Sequence, residues 1–209
     1  MVSEFLVYLR LGFEHITDPR GYDHLLFVAA LTASDLGRVR RLFWLVTAFT
    51  VGHSITLALA TLDLVRVDTS LVEILIPVTI LATSAVNAFS WGIGRRPPSL
   101  EDSSVDEAVE SETRVRYLLA VGFGLIHGLG FSTFLRAALG WEENIFLPLL
   151  SFNIGLEIGQ LAIVAALSLV AWLLIRGLGL SRRTWVLGVS AITGGMALVL
   201  LVQRIQFPT

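Results

Sequence analysis

The stretch Phe13-Glu14-His15-Ile16-Thr17-Asp18-Pro19-Arg20-Gly21-Tyr22-Asp23-His24-Leu25-Leu26-Phe27 gathers two of the chain's four histidines and three carboxylates at the entrance to an apolar run. Its meaning depends on the solvent the chain folds in. In water it is an ordinary polar turn. Beside hydrocarbon, ionisable groups are costly and are kept where they are used. The remainder of the chain decides between the two. Of 209 residues, 55% are hydrophobic and 15% charged, and the mean hydropathy is +0.76. A soluble domain carries about 25% charged residues, so this is an integral membrane protein. With no water to satisfy exposed backbone groups, the expected fold is all-α, a polytopic transmembrane helical bundle forming one domain over residues 1–209.

Composition also removes several chemistries. Cysteine is absent, which excludes disulfides and thiolate ligands, and lysine is absent, which excludes Schiff bases. A metal is left to imidazole, carboxylate or amide oxygen. No basic stripe suggests nucleic acid as a partner, and the net charge of -2 says nothing about partners.

A span needs about 20 apolar residues. Residues 25–33 are short for this, so the first span is expected to include Tyr22-Asp23-His24 and to run on to Asp35. Residues 42–62, 71–93, 117–139, 145–175 and 185–202 supply five more, with Pro77 a kink in the third span. About six spans result. Residues 5–13 form a short apolar run with Glu4 before it and Arg10 inside it. No small-residue cleavage site follows, so this reads as a short N-terminal helix, interfacial or re-entrant, with a poorly defined first span as the alternative, and not as a secretory signal.

The loops set the orientation. Arg38, Arg40, Arg41, Arg95, Arg96, Arg114, Arg116, Arg176, Arg182 and Arg183 fall on one side; Asp63, Arg66, Asp68, Glu142 and Glu143 fall on the other. Positive charge marks the cytoplasmic face, so the His15–His24 entrance and the C-terminus face outward, toward the periplasm of a multi-pass inner (cell) membrane protein. The acidic residues 97–113 read as a solvated cytoplasmic linker between two three-span halves.

Polar residues at membrane depth are few. His53 lies in Thr47-Ala48-Phe49-Thr50-Val51-Gly52-His53-Ser54-Ile55-Thr56, with Thr50 and Thr56 three residues either side, on one helical face that can orient the imidazole. His127 lies among glycines in Gly122-Phe123-Gly124-Leu125-Ile126-His127-Gly128-Leu129-Gly130-Phe131, small residues that let helices approach closely. Asn153, Glu157 and Gln160 share a face at offsets of four and three. By depth, the ionisable groups converge in one outward-facing pocket, with Glu157 in the outer half of its span. The candidate metal ligands are His24, Asp23, His53, His127, Glu157 and His15, supported by Thr50, Ser54, Asn153 and Gln160. Imidazole with carboxylate suits a divalent transition metal, nickel, cobalt or zinc, better than magnesium or calcium. Plainer uses exist for each residue. A lone intramembrane histidine often bonds helix to helix, Asp23 can cap the following helix, and Pro19 and Gly21 can simply shape a turn.

Several of these motifs resemble the HupE/UreJ-type membrane proteins. They are His15-Ile16, Gly21-Tyr22-Asp23-His24-Leu25-Leu26-Phe27, Thr47-Ala48-Phe49-Thr50 with His53-Ser54, Phe123-Gly124-Leu125-Ile126-His127-Gly128-Leu129-Gly130-Phe131, and Phe152-Asn153-Ile154-Gly155-Leu156-Glu157-Ile158-Gly159-Gln160. The resemblance runs in order over nearly the whole chain. It implies association with hydrogenase and urease gene sets and a role as a nickel or cobalt permease. It also implies metal binding at the first-span histidine-aspartate motif, here Asp23 and His24. One departure is the link from His15 to Gly21, lengthened through Asp18-Pro19-Arg20.

Three functions follow. The favoured one is a permease in which Asp23 and His24 capture the ion and His53, His127 and Glu157 pass it inward, with Thr83, Ser84 and Asn87 continuing the path. The alternative is an intramembrane zinc-dependent hydrolase of a lipid or membrane-embedded peptide, in which histidines hold the metal and Asp23 or Glu157 activates its water. The third is a metal-storing or sensing accessory protein. The metal ion and the lipid bilayer are the implied partners, and a homo-oligomer is left open.

Overall fold

The computed structural model describes residues 2–92, 103–139 and 145–207. Among the described residues the chain forms seven α-helices: α1 (Val2–Thr17), α2 (Tyr22–Thr32), α3 (Val39–Thr61), α4 (Thr69–Gly92), α5 (Ser103–Leu139), α6 (Phe146–Trp172) and α7 (Arg182–Gln206). A π-helical turn, Leu173–Gly177, extends α6. Five segments are long and apolar enough to cross a membrane: Val39–Thr61, Thr69–Trp91, Arg114–Ser132, Phe146–Gly177 and Arg182–Gln206. The protein is a multi-pass membrane bundle. Of the acidic stretch 97–113, positions 97–102 lie outside the described residues, and 103–113 belong to the first turns of α5.

The first crossing differs from the expectation of a single helix running to Asp35. Helix α2 has 11 residues, about 16 Å of rise, where a bilayer core is about 30 Å thick. The missing length comes from α1, which packs lengthwise on α6. Gly12 meets the backbone of Phe152, Gly155 that of Leu9, and Gly159 the side chain of Ile16. Farther along α6, Val164 packs with Val28 of α2, and Ala171 packs with Leu36 beyond it. Helices α1 and α2 thus follow one another down α6 as one discontinuous crossing, and with the five long helices this makes six.

The break is written in Asp18-Pro19-Arg20-Gly21. Pro19 has no N–H to continue a helix. Asp18 Oδ1 accepts from the Arg20 N–H at 2.9 Å, and the Asp18 carbonyl accepts from the Gly21 N–H at 3.1 Å. Asp first, Pro second and Gly fourth is the residue pattern of a type I turn.

Glycine again sets the α3–α5 contact: Gly52 lies on the backbone of Val121, and Gly124 on that of Phe49. Helix α2 is the hub of the bundle. Its Leu26, Phe27 and Leu31 form one buried cluster with Leu45 and Phe49 of α3, Val72, Ile76 and Ile80 of α4, Ala120 of α5 and Ala197 of α7. No residue of α2 is exposed. A helix with no exposed residue is surrounded by protein, and this centres its first turn, with His24, in the bundle.

Candidate metal centre

The turn at residues 18–21 folds the end of α1 toward the start of α2, so that the His15 and His24 rings lie 4.6 Å apart, edge to face. Helix α3 adds His53, whose ring centroid is 6.2 Å from His15 and 6.4 Å from His24. One ring nitrogen from each of the three lies within 4.8 Å of those of the other two. Nitrogens around a tetrahedral ion at 2.0–2.1 Å are about 3.4 Å apart, so the three stand somewhat wider than a bound ion would hold them.

The hydrogen bonding points the same way. Buried polar atoms in proteins almost always have a partner. Here His15 Nε2, His24 Nε2, both ring nitrogens of His53 and Nδ1 of His127 are buried without one. Five orphaned imidazole nitrogens in one neighbourhood form a donor set suited to a divalent transition metal.

Two of the rings are oriented from outside. Asp23 Oδ1 lies 3.0 Å from His24 Nδ1 and also accepts the His24 backbone N–H at 2.8 Å. The carboxylate holds the ring proton on Nδ1 and leaves Nε2 as the free donor, the arrangement by which carboxylates steer metal-binding histidines. His127 is held differently. The Thr79 hydroxyl donates to the Ile76 carbonyl at 2.7 Å, so its oxygen accepts from His127 Nε2 at 3.1 Å and leaves Nδ1 free. His127 lies 5.2 Å from His24, ring to ring, which makes it a neighbour of the three-histidine group.

Aromatic rings enclose the cluster. Phe131 sits 3.8 Å from His15, Phe152 stacks on His53 at 6.4 Å, and Phe27 and Phe49 flank His127 at 5.0 and 5.3 Å. A cavity of about 740 Å³ leads to His15, His24 and His127, with Glu14, Asp18, Asp23 and Glu73 on its wall. It lies toward the end of the bundle where Arg204 pairs with Glu73 at 3.3 Å.

Other expected residues are placed elsewhere. Glu157 does not join the close donors; its Oε1 accepts from Thr47 at 2.6 Å. Thr47 is six residues before His53 on α3, about 9 Å farther toward the arginine-rich end, so Glu157 lies past His53 and not beside it. Thr50 does not orient His53, because its hydroxyl donates to Gln160 Oε1 at 2.7 Å. Ser54 donates to the Thr50 carbonyl of its own helix, and Asn153 to the carbonyl of Leu149. Thr83 and Ser84 bond back to their own helix, Ser84 also to Thr193, and Asn87 donates to the Ala30 carbonyl. Ser84 and Asn87 thus tie helices together, and none of the three lines the cavity. Thr79 and the aromatic walls were not expected from the sequence. Thr79, a polar residue at membrane depth just after Pro77, was the signal available.

No curated protein and no solved structure matches the chain. A family model described as HupE / UreJ protein matches residues 1–204. With nearly the whole chain matched and the quoted histidine motifs inside the matched region, the protein belongs to the HupE/UreJ family.

Proposed function

We propose that this protein is a permease for a divalent transition metal, nickel or cobalt, which it takes up from the outer face of the cell membrane. The observation that carries this reading is a cavity from one end of the bundle reaching a cluster of histidines whose free nitrogens have no partner. An ion enters through the cavity past Glu14, Asp18 and Glu73 on its wall. It is then held by His15, His24 and His53, with Asp23 steering His24 and His127 close by. Imidazole ligands exchange a divalent ion more readily than a closed thiolate site would, as transport requires. The arginine-rich end faces the cytoplasm under the positive-inside rule, so the cavity mouth faces outward.

The hydrolase reading keeps second place for one reason: the cavity is larger than an ion needs, and Leu11, Ile76, Phe131, Phe134 and Leu200 give it an apolar part. Against it, the carboxylates in reach are engaged. Asp23 holds His24, Glu14 pairs with Arg10 at 2.7 Å, Glu73 pairs with Arg204, and Glu157 lies off the cavity wall.

Purified protein in sealed liposomes tests the choice. The permease reading expects protein-dependent entry of Ni²⁺ or Co²⁺, abolished by His24→Ala. A protein that binds the ion tightly but never moves it across the bilayer contradicts it.

A further inference from the structure

We propose that Glu157, with Thr47, Thr50, Asn153 and Gln160, forms a second cation-binding station between the histidine cluster and the arginine-rich end. Thr47, Thr50 and His53 recur at every third residue of α3 and make one stripe, of which Thr47 and Thr50 meet Glu157 and Gln160 of α6. Thr47 Oγ1 donates to Glu157 Oε1 at 2.6 Å, and Thr50 Oγ1 donates to Gln160 Oε1 at 2.7 Å.

Two further observations point to a ligand. The amide of Asn153 is spent on the Leu149 carbonyl, and its Oδ1 is buried without a partner, one helical turn from Glu157. Glu157 itself sits inside a candidate membrane span with the Thr47 hydroxyl as its hydrogen-bond partner and no guanidinium among the described residues. Asp35, Asp63, Glu14 and Glu73, by contrast, each pair with arginine. A carboxylate at membrane depth without a cation marks an ion pathway by default.

The order along α6 gives the station its place. Phe152 stacks on His53, Asn153, Glu157 and Gln160 follow, and then Leu161 and Val164 pack with Val28, Leu42 and Val46. The Glu157 and Gln160 oxygens therefore lie past His53 and before an apolar cluster. Oxygen ligands hold a transition metal less tightly than imidazole does, which suits a site that receives the ion and releases it. The station's purpose rests on the permease reading; its location rests on the α3–α6 geometry.

The test is a Co²⁺ titration of purified protein by calorimetry and equilibrium dialysis, with uptake into liposomes measured in parallel. The wild-type chain is expected to bind Co²⁺ in two events, one tight and one weaker. Glu157→Gln is expected to keep the tight event, lose the weaker one and slow uptake by about tenfold or more. His24→Ala is expected to keep only the weaker event. Should Glu157→Gln not yield folded protein, Thr47→Val serves in its place and is expected to weaken the second event alone. A single event in the wild type, or a weaker event unchanged by both Glu157→Gln and Thr47→Val, overturns the proposal. Wild-type protein with both events, a Glu157-dependent second event and no uptake supports the station and overturns the permease reading.

Discussion

The two ends of helix α2 bury polar groups under opposite rules. Just beyond its C-terminus, Asp35 is 2% exposed and lies among guanidinium groups: Arg116 Nη1 at 2.9 Å, Arg41 Nε at 3.2 Å without hydrogen-bond alignment, and Arg38 Nη1 at 3.8 Å. Arg116 also reaches Ser34, and Arg182 donates to the Leu36 carbonyl. The loop after α2 is thereby tied to α3, α5 and α7. At the other end, His24, His53 and His127 are as deeply buried, and the neighbourhood holds five nitrogens with no partner at all. A buried charge that serves structure is paired where it stands, while a buried donor set left unpaired is reserved for something that arrives.

The largest effect belongs to the paired end. Asp35→Ala leaves Arg41 and Arg116, both largely buried, without their carboxylate, and breaking such a pair costs about 3–5 kcal/mol. Thermal unfolding in detergent should show a large drop in midpoint, while the folded fraction keeps its metal affinity. A variant as stable as the wild type would mean that Asp35 is not the tie described here.

The reserved end behaves the other way. His24→Ala or His53→Ala removes orphaned nitrogens, so stability should hold or rise slightly. Affinity for Ni²⁺ or Zn²⁺ should fall about 100-fold or more, equivalent to ~2.7 kcal/mol. Calorimetric titration reads this directly, and a loss of stability with affinity intact would reverse the roles assigned to the two ends.

Asp23→Asn comes next. It keeps the size of the side chain but no longer fixes the proton on His24 Nδ1, and loss of such an orienting group costs about 10–100-fold in metal affinity. Binding should weaken with acid in both proteins, because imidazole must be neutral to ligate. An Asn variant with wild-type affinity would remove Asp23 from the site.

The smallest effect is at the exposed corner where Arg66 and Arg136 meet Asp63. The Arg66 hydrogen bond, helped by Arg136, lowers the Asp63 pKa from 3.8 to about 2. With the folded-state pKa depressed, the contribution to stability is complete above the ordinary carboxylate range and is lost as pH falls from about 4 toward 2. Asp63→Asn should flatten that acid limb a little and leave stability near neutrality and metal binding almost unchanged, since exposed pairs contribute little. Unfolding midpoints compared between pH 5 and pH 2 test it.

Much of this was legible in the sequence, because hydropathy reports which residues leave water. The bundle, the long spans and the depth of His24, His53 and His127 follow from it. Hydropathy does not say whether an apolar residue meets lipid or protein. For that reason α2, surrounded by protein, read as a span of its own, and α1, joined to α6 through Gly12 and Gly155, read as a helix apart. The helical offsets placed Asn153, Glu157 and Gln160 on one face, but an offset does not tell which neighbour that face meets. The face turned to Thr47 and Thr50 below the histidines. His15 joins the cluster because the Asp18-Pro19-Arg20-Gly21 turn brings the end of α1 to the start of α2, a placement that no helical spacing rule encodes.

The central claim is that the unpartnered imidazoles hold a transition metal. X-ray absorption on purified protein loaded with Ni²⁺ or Zn²⁺ tests it most directly. The account predicts one tightly held ion with imidazole scattering from histidine nitrogens at about 2.0–2.1 Å, absent in His24→Ala. An ion that washes away, or a spectrum of oxygen ligands unchanged by His24→Ala, would contradict it.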